Sequence, residues 1–245
     1  MHRFYLPHAF AKNPRQGEIS DVREIHHLRN VLRLKKGDAI TVFDGAGKQA
    51  AATILKIEPA RVILQIEGVE TESLEQPRIV LACAIPKKSK FESIIEKCTE
   101  LGVDEIIPLK TERTIIKVPK EQIPRKIQRY RTVAVNAAKQ SARNTIPSIR
   151  TICAFAEAVE SLPDDGAAFI PTLGEKKHHL KTVLQGLSAP KTLTFFIGPE
   201  GDFTVQEVAL AQNKGVVPVS LGRQVLKVET AAMTVVAAAM IHFRS

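Results

Sequence analysis

The sequence predicts an α/β protein, a small N-terminal β-barrel followed by a parallel sheet flanked by helices. Three observations predict this. Residues 1–73 read as short strands joined by turn residues, with one amphipathic helix among them. From Arg78 onward, short apolar runs alternate with capped amphipathic segments, which is the pattern of βαβ units. The C-terminal stretch repeats strand, glycine loop and helix twice over. The expected domains are residues 1–73 and 74–245, with the polar Glu67–Pro77 segment as the linker.

Met1–Leu6 opens as a strand, and Ser20 caps a helix that runs to Leu34. Its apolar stripe is Ile25, Leu28 and Leu32, with Val22 and Val31, which leaves Arg29 and Arg33 elsewhere on its circumference. Ala39–Phe43 and Gln49–Ile57 form a hairpin about Asp44-Gly45-Ala46-Gly47, and Arg61–Ile66 is a further strand. Gly45–Lys48 therefore reads as a turn rather than a phosphate loop.

In the second domain, Ile79–Ile85 is a strand and Ser89-Lys90-Phe91-Glu92 a capping box. That box opens a helix with the stripe Phe91, Ile94, Ile95, Cys98 and Leu101. Gly102 ends it, and Val103–Leu109 is the next strand. Pro124 suits the first turn of a long helix reaching about Ser141. Ile149–Ile152 is a short strand, Phe155–Leu162 a helix, Ala167–Pro171 a strand and Glu175–Gln185 a helix. Leu193–Ile197 stops at the loop Gly198-Pro199-Glu200-Gly201. Thr204-Val205-Gln206-Glu207 is a second capping box, closed by Lys214 and Gly215. Val216–Leu221 ends at Gly222, and an alanine-rich helix follows from about Thr230.

The formal charge of +9 is unevenly spread. Residues 76–150 hold 16 Lys and Arg against 7 Asp and Glu, whereas residues 151–245 hold 8 against 9. A local basic excess of this kind suits a polyanion. On the long helix and at its end, Arg129, Lys139 and Arg143 stand with Tyr130, Asn136 and Gln140 in a pattern that suits RNA. Lys87, Lys88 and Lys90 follow a strand and open a helix, where they serve either a phosphate contact or solubility.

Cys83, Cys98 and Cys153 form no C-x-x-C pair and read as reduced thiols of a cytoplasmic protein. No signal peptide is indicated. Ala231–Ile241 falls short of the ~20 apolar residues that span a bilayer, so no membrane partner is expected. His178 and His179 are placed on a helix, pointing apart, and no H-E-x-x-H or Cys/His cluster occurs, so no metal site is expected. The dinucleotide G-x-G-x-x-G, the G-x-x-x-x-G-K-[ST] phosphate loop and the G-x-S-x-G elbow are also missing. What remains is two glycine loops at the carboxyl ends of strands, the place where open parallel sheets bind ligands.

IGPEGDFTVQEVALA followed by SLGRQVLKVETAA resembles the C-terminal signature of the RsmE family of the SPOUT superfamily, which methylates a uracil of small-subunit ribosomal RNA at ring nitrogen 3. HHLRNVLRLKKGD, PKKSKFESIIEKCTELGVDEIIPLKTERT and AAKQSARNTIP occur in the family's order, so the likeness covers nearly the whole chain. The resemblance implies a PUA-like RNA-binding barrel, then a SPOUT-type parallel sheet with a trefoil knot, in a homodimer. It implies S-adenosylmethionine held by Thr172, Leu173 and Gly174, by Ile197, Gly198, Pro199, Glu200 and Gly201, and by Leu221, Gly222, Val225, Leu226 and Thr230. The expected RNA contacts are Arg3, Arg29 and Arg33 of the barrel, Lys87, Lys88 and Lys90, then Arg129, Asn136, Gln140 and Arg143, and finally Arg223.

Uracil N3 carries a proton at neutral pH, so a group must remove it or stabilise the anion. Glu200 and Glu229 are the carboxylates beside the loops, and Arg143 suits a developing negative charge. Glu200 otherwise serves to hold its loop, and Glu229 to place charge at a helix N-terminus. The sequence departs from the family pattern at Asp202 and Ala142, where glycine is usual, and at Lys139, Arg223-Gln224 and Lys227. Two rival readings share these residues: a SPOUT enzyme acting on a ribose 2′-oxygen or another base, and a non-catalytic RNA-binding module of ribosome assembly.

Overall fold

The structure, a computed structural model, describes residues 2–7, 9–10, 15–73, 75–87, 90–114, 118–174, 177–188 and 190–244. Contacts divide the chain into two units, Met1–Leu74 with Ala138–Ile146, and Glu75–Ala137 with Pro147–Ser245.

The first unit is a five-stranded sheet of β1 (Arg3–Tyr5), β2 (Gln16–Ile19), β3 (Ala39–Phe43), β4 (Lys48–Ile57) and β5 (Val62–Thr71), in the order β1-β3-β4-β5-β2. β1 is parallel to β3 and the remaining pairs are antiparallel. Alternate residues of the strands, such as Ile40, Val42, Ile54, Val62 and Leu64, close over Phe4 and Leu28 in a dry core. The β3–β4 turn is organised by Asp44, whose Oδ1 accepts the N–H groups of Ala46 (2.7 Å) and Lys48 (3.0 Å).

Three expectations are corrected here. The helix is capped by Asp21, whose side chain accepts the Arg23 N–H at 2.8 Å, and α1 covers only Val22–His26. A π-helical turn over His27–Val31 follows it. The wider turn breaks the 3.6-residue period, so Ile25 and Leu28 stay buried while Val22 and Val31 are 76% and 58% exposed. Second, β5 runs into the expected linker as far as Thr71. Gly68, at φ +61°, lies where the pairing register shifts between Gln49 and Ala51, and that bulge interrupts the alternation that marks a strand. Third, Ala138–Ile146 returns to this unit, with Gly47 N–H donating to the Asn144 carbonyl (3.1 Å) and Ile146 N–H to that of Gly45 (2.9 Å).

The second unit is an all-parallel sheet. Its strands are β6 (Arg78–Ala84), β7 (Glu105–Lys110), β8 (Ser148–Ile149), β9 (Cys153–Ala154), β10 (Gly166–Pro171), β11 (His178–His179), β12 (Thr192–Ile197) and β13 (Val217–Ser220). They stand in the order β11-β13-β10-β12-β6-β7-β8, with β9 also beside β7. The helices are α2 (Lys90–Glu100), α3 (Ile123–Gln140), α4 (Phe155–Glu160), α5 (Leu180–Gln185), α6 (Val205–Asn213) and α7 (Val228–Phe243). Because helices cover both faces, β6 and β12 read as continuous apolar runs rather than alternating ones. Val80, Ala82, Phe196 and Ile170 meet Phe155 of α4 and Ala211 of α6, while α7 packs on β6 and β12 beside α2.

His178 and His179 are not helical. They pair with Val219 and Ser220 at the sheet edge, and α5 begins only at Leu180; Glu175 and Lys176, the expected start, lie outside the described residues. So does Ser89 of the first capping box. Tyr130 is 2% exposed and packs against Phe91 at 4.9 Å, so it is a core residue and not part of an RNA-facing surface. α7 starts at Val228, two positions before Thr230. Among the described residues no helix is long and apolar enough to cross a membrane.

Candidate active site

Three neighbouring parallel strands, β13, β10 and β12, send their following loops out at one end of the sheet. These loops and the first turn of α7 enclose a cleft of about 400 Å³. The loop after β10 supplies Thr172 and Leu173, that after β12 supplies Gly198, Pro199 and Glu200 beyond Ile197, and that after β13 supplies Leu221, Gly222, Val225 and Leu226. Glu229 closes the wall from α7. The remaining predicted lining residues stand outside it. Gly174 is exposed, its N–H spent on Thr172 Oγ1 (3.2 Å). Gly201 is exposed and its carbonyl accepts from Arg113 (2.6 Å). Thr230 is exposed on α7, with its carbonyl accepting the Thr234 hydroxyl (2.7 Å). Sequence reasoning missed Lys177, Asp202, Gln224 and Lys227 in the wall, and it took Lys90 for an RNA contact only.

Local sequence explains how the loops are held. Thr204 caps α6, accepting the Glu207 N–H at 3.2 Å while Glu207 Oε2 accepts the Thr204 N–H at 2.9 Å. The 7%-exposed Glu207 also accepts the Glu112 N–H (3.0 Å), which anchors the start of α6. Phe203 folds back beneath Gly198, so closely that a Cβ at Gly198 would stand 3.1 Å from its ring. Gly222 sits at φ +134°, a conformation strained for any residue with a Cβ.

The cleft's charges are paired across the sequence. Lys90 Nζ lies 3.1 Å from Glu229 Oε1. The Glu229 carboxyl is held below its ordinary pKa by its own backbone N–H at the helix start, and then by Lys90. Glu200 is exposed, and its Oε1 accepts the Lys87 N–H at 3.2 Å. Cys83, fully buried on β6, has its thiol pushed well up by desolvation.

The other candidate residues are scattered. Arg143 belongs to the first unit, where it donates to Thr145 Oγ1 (2.9 Å). Arg3 is half-buried there. Its guanidinium is turned inward onto Gln49 Oε1 (3.0 Å), the Arg143 carbonyl (3.1 Å) and Asn144 Oδ1 (2.6 Å), so it stitches the unit together rather than facing solvent. Arg29 and Arg33 are exposed in the same unit. On α3, Arg129 is ion-paired with Glu92 (2.8 Å), and Asn136 and Gln140 are exposed. Arg223 and Lys87 are exposed, and Lys88 lies outside the described residues. No cluster of His, Cys, Asp and Glu able to hold a metal occurs among the described residues.

Residues 73–240 match a family of RNA methyltransferase domains, and residues 19–67 match the PUA domain of RNA methyltransferases. The chain is 35% identical over 209 residues to ribosomal RNA small subunit methyltransferase E of Synechocystis, covering 85% of this chain and 67% of that protein. It is 28% identical over 215 residues to the Bacillus subtilis enzyme of the same name, covering 86% and 84%. The crystal structure of ribosomal RNA small subunit methyltransferase E from Neisseria gonorrhoeae, bound to S-adenosyl methionine, matches with a TM-score of 0.87 at 30% identity, over 98% of this chain and 97% of that one. A loop-built cleft at the carboxyl ends of parallel strands, preceded by a PUA sheet and matched along nearly all of the chain, places it in the ribosomal RNA small subunit methyltransferase E family.

Proposed function

We propose that the chain transfers the methyl group of S-adenosylmethionine to N3 of a uridine in small-subunit ribosomal RNA. The observation that carries this is the cleft itself, formed by three backbone-lined loops within the segment matched by the RNA methyltransferase family. The residues fit the cofactor. Leu173, Ile197, Leu221, Val225 and Leu226 offer apolar walls for a flat base, and the cleft volume suits a ligand of that size. Glu200 and Glu229 offer acceptors for hydroxyl and ammonium groups. Bound S-adenosylmethionine supplies an electrophilic methyl group on a sulfonium.

The protein's part is alignment and charge. The loops fix the donor so that N3 approaches in line, which converts binding into rate. Glu200, at the exposed rim, takes the N3 proton. Glu229, kept ionised by its helix N–H and Lys90, holds the lysine in place. Arg143 balances the negative charge that develops on the ring, as a guanidinium suits an anion. The homodimer, the trefoil knot and the RNA contacts of Arg29, Arg33 and Arg223 rest on the family resemblance, and the RNA contacts of Lys87, Lys88, Asn136 and Gln140 rest on it together with the basic excess of residues 76–150. The proposed domain boundary near residue 74 is supported by the family matches, which end at 67 and resume at 73.

The test is mass spectrometry of digested ribosomal RNA from cells with and without the gene, alongside calorimetry of the purified protein with S-adenosylmethionine. Loss of a 3-methyluridine is the expected result. Loss of a ribose methyl or of another methylated base would replace the N3 assignment, and absence of both heat and transfer would leave only an RNA-binding role.

A further inference from the structure

Asp202 holds a backbone conformation that a side chain disfavours. Its φ is +60°, a region that glycine enters freely and that asparagine and aspartate tolerate best among the rest. Its N–H closes a turn onto the Pro199 carbonyl (2.9 Å). Oδ1 accepts the Phe203 N–H at 2.8 Å. Oδ2 reaches out of its own loop to accept the Leu173 N–H at 3.1 Å and the Thr172 hydroxyl at 3.4 Å. Thr172 Oγ1 accepts the Gly174 N–H in turn.

Among the described residues, the loop that receives this carboxylate has little else to fix it to the cleft. Leu173 lines the cleft yet is 61% exposed, so burial of its side chain does not anchor it. Thr172 N–H is fixed to the Val219 carbonyl (3.2 Å) on the neighbouring strand, and Leu173 N–H is tied across the cleft to Asp202 Oδ2 (3.1 Å). A charged acceptor makes the stronger kind of hydrogen bond, and two donors converge on one oxygen.

We propose that Asp202 is a positioning residue: its carboxylate clamps the Thr172–Gly174 loop onto the Gly198–Gly201 loop, so that the methyl donor meets a preformed wall. This rests on the assignment of the cleft to S-adenosylmethionine. When the clamp is released, only the fraction of molecules with the loop in place binds the donor, and apparent affinity falls by that fraction.

The Asp202→Gly variant separates the clamp from ordinary structure, because it relieves the positive φ while removing the carboxylate. Its melting temperature should equal or exceed that of the parent. Its KM for S-adenosylmethionine should rise on the order of tenfold or more, the factor expected from one charge-assisted hydrogen bond, with kcat at saturating donor within about twofold. Hydrogen exchange at the Leu173 amide should quicken in the ligand-free protein. Asp202→Asn, which keeps one carbonyl acceptor, should fall between the two. An unchanged KM together with unchanged Leu173 exchange would overturn the proposal. Failure of the parent protein to bind the donor would overturn the cofactor assignment instead, while the exchange comparison would still judge the clamp.

Discussion

Adding a single methyl group at position 198 tests whether the cleft depends on close packing behind its loops. A Cβ at Gly198 would lie 3.1 Å and 3.2 Å from Cδ2 and Cε2 of Phe203, and 3.3 Å from its backbone nitrogen. Neither neighbour can yield easily. Phe203 is 4% exposed, with its ring 4.8 Å from that of Phe155, and its N–H is tied to Asp202 Oδ1. Overpacking of this kind costs about 1–3 kcal/mol. At roughly 2–4 °C per kcal/mol for a chain of this size, Gly198→Ala should melt about 2–12 °C below the parent. The displaced segment is itself cleft wall, so S-adenosylmethionine affinity should fall in the same variant, by up to about tenfold for each 1.4 kcal/mol that falls on the bound conformation. Gly186→Ala is the control. Its Cβ would meet only the Val183 and Thr182 carbonyls at 3.6 and 3.7 Å, its φ is an ordinary −85°, and it lies outside the cleft. Thermal melts and calorimetry on the three proteins decide the matter. Parent-like melting and affinity in Gly198→Ala would refute the claim that Phe203 holds this loop in shape.

Gly222→Ala, at φ +134°, should cost roughly 1–2 kcal/mol and weaken donor binding, read by the same melts and titrations. Ala142→Gly should do the opposite, raising stability by about 0.5–1 kcal/mol in denaturant melts, because exposed Ala142 sits at φ +60° and loses no packing. Glu229 has its folded pKa below the ordinary 4.5, so it stabilises the protein above that pH and the contribution is lost as pH falls through the folded value. The melting deficit of Glu229→Gln should therefore be largest near neutral pH and shrink below pH 4.5; a constant deficit would contradict the pairing. Under native alkylation, half-buried Cys153 should label before Cys83 and before Cys98, whose thiol burial pushes up to about 12, as peptide mapping would show.

How far the site could be read in advance follows from the range of the interactions that make it. The capping box at Thr204 and Glu207 is a local contract between residues three apart, and it stands in the structure as written. The strand runs at β6 and β12 are legible because burial on both faces leaves them uniformly apolar. Local rules fail where tertiary contacts decide. Nothing near His27 announces a π-helical turn, and His178-His179 is a strand only because Val219 and Ser220 lie alongside. Tyr130 and Arg3 look like RNA contacts by composition, but Phe91 and Asn144 claim them. The cleft shows both behaviours at once. Its glycines are visible because a position that excludes Cβ leaves a mark in the sequence. Its charge pairs are not visible, since Lys90 and Glu229 are separated by 139 positions, and Leu173 and Asp202 by 29. Asp202 joins the two cases. It stands where the family resemblance has glycine, yet its φ remains positive, so the backbone demand at that site has survived the change of residue. A side chain that tolerates that strain has there gained three hydrogen-bond donors to accept, two of them from the loop across the cleft.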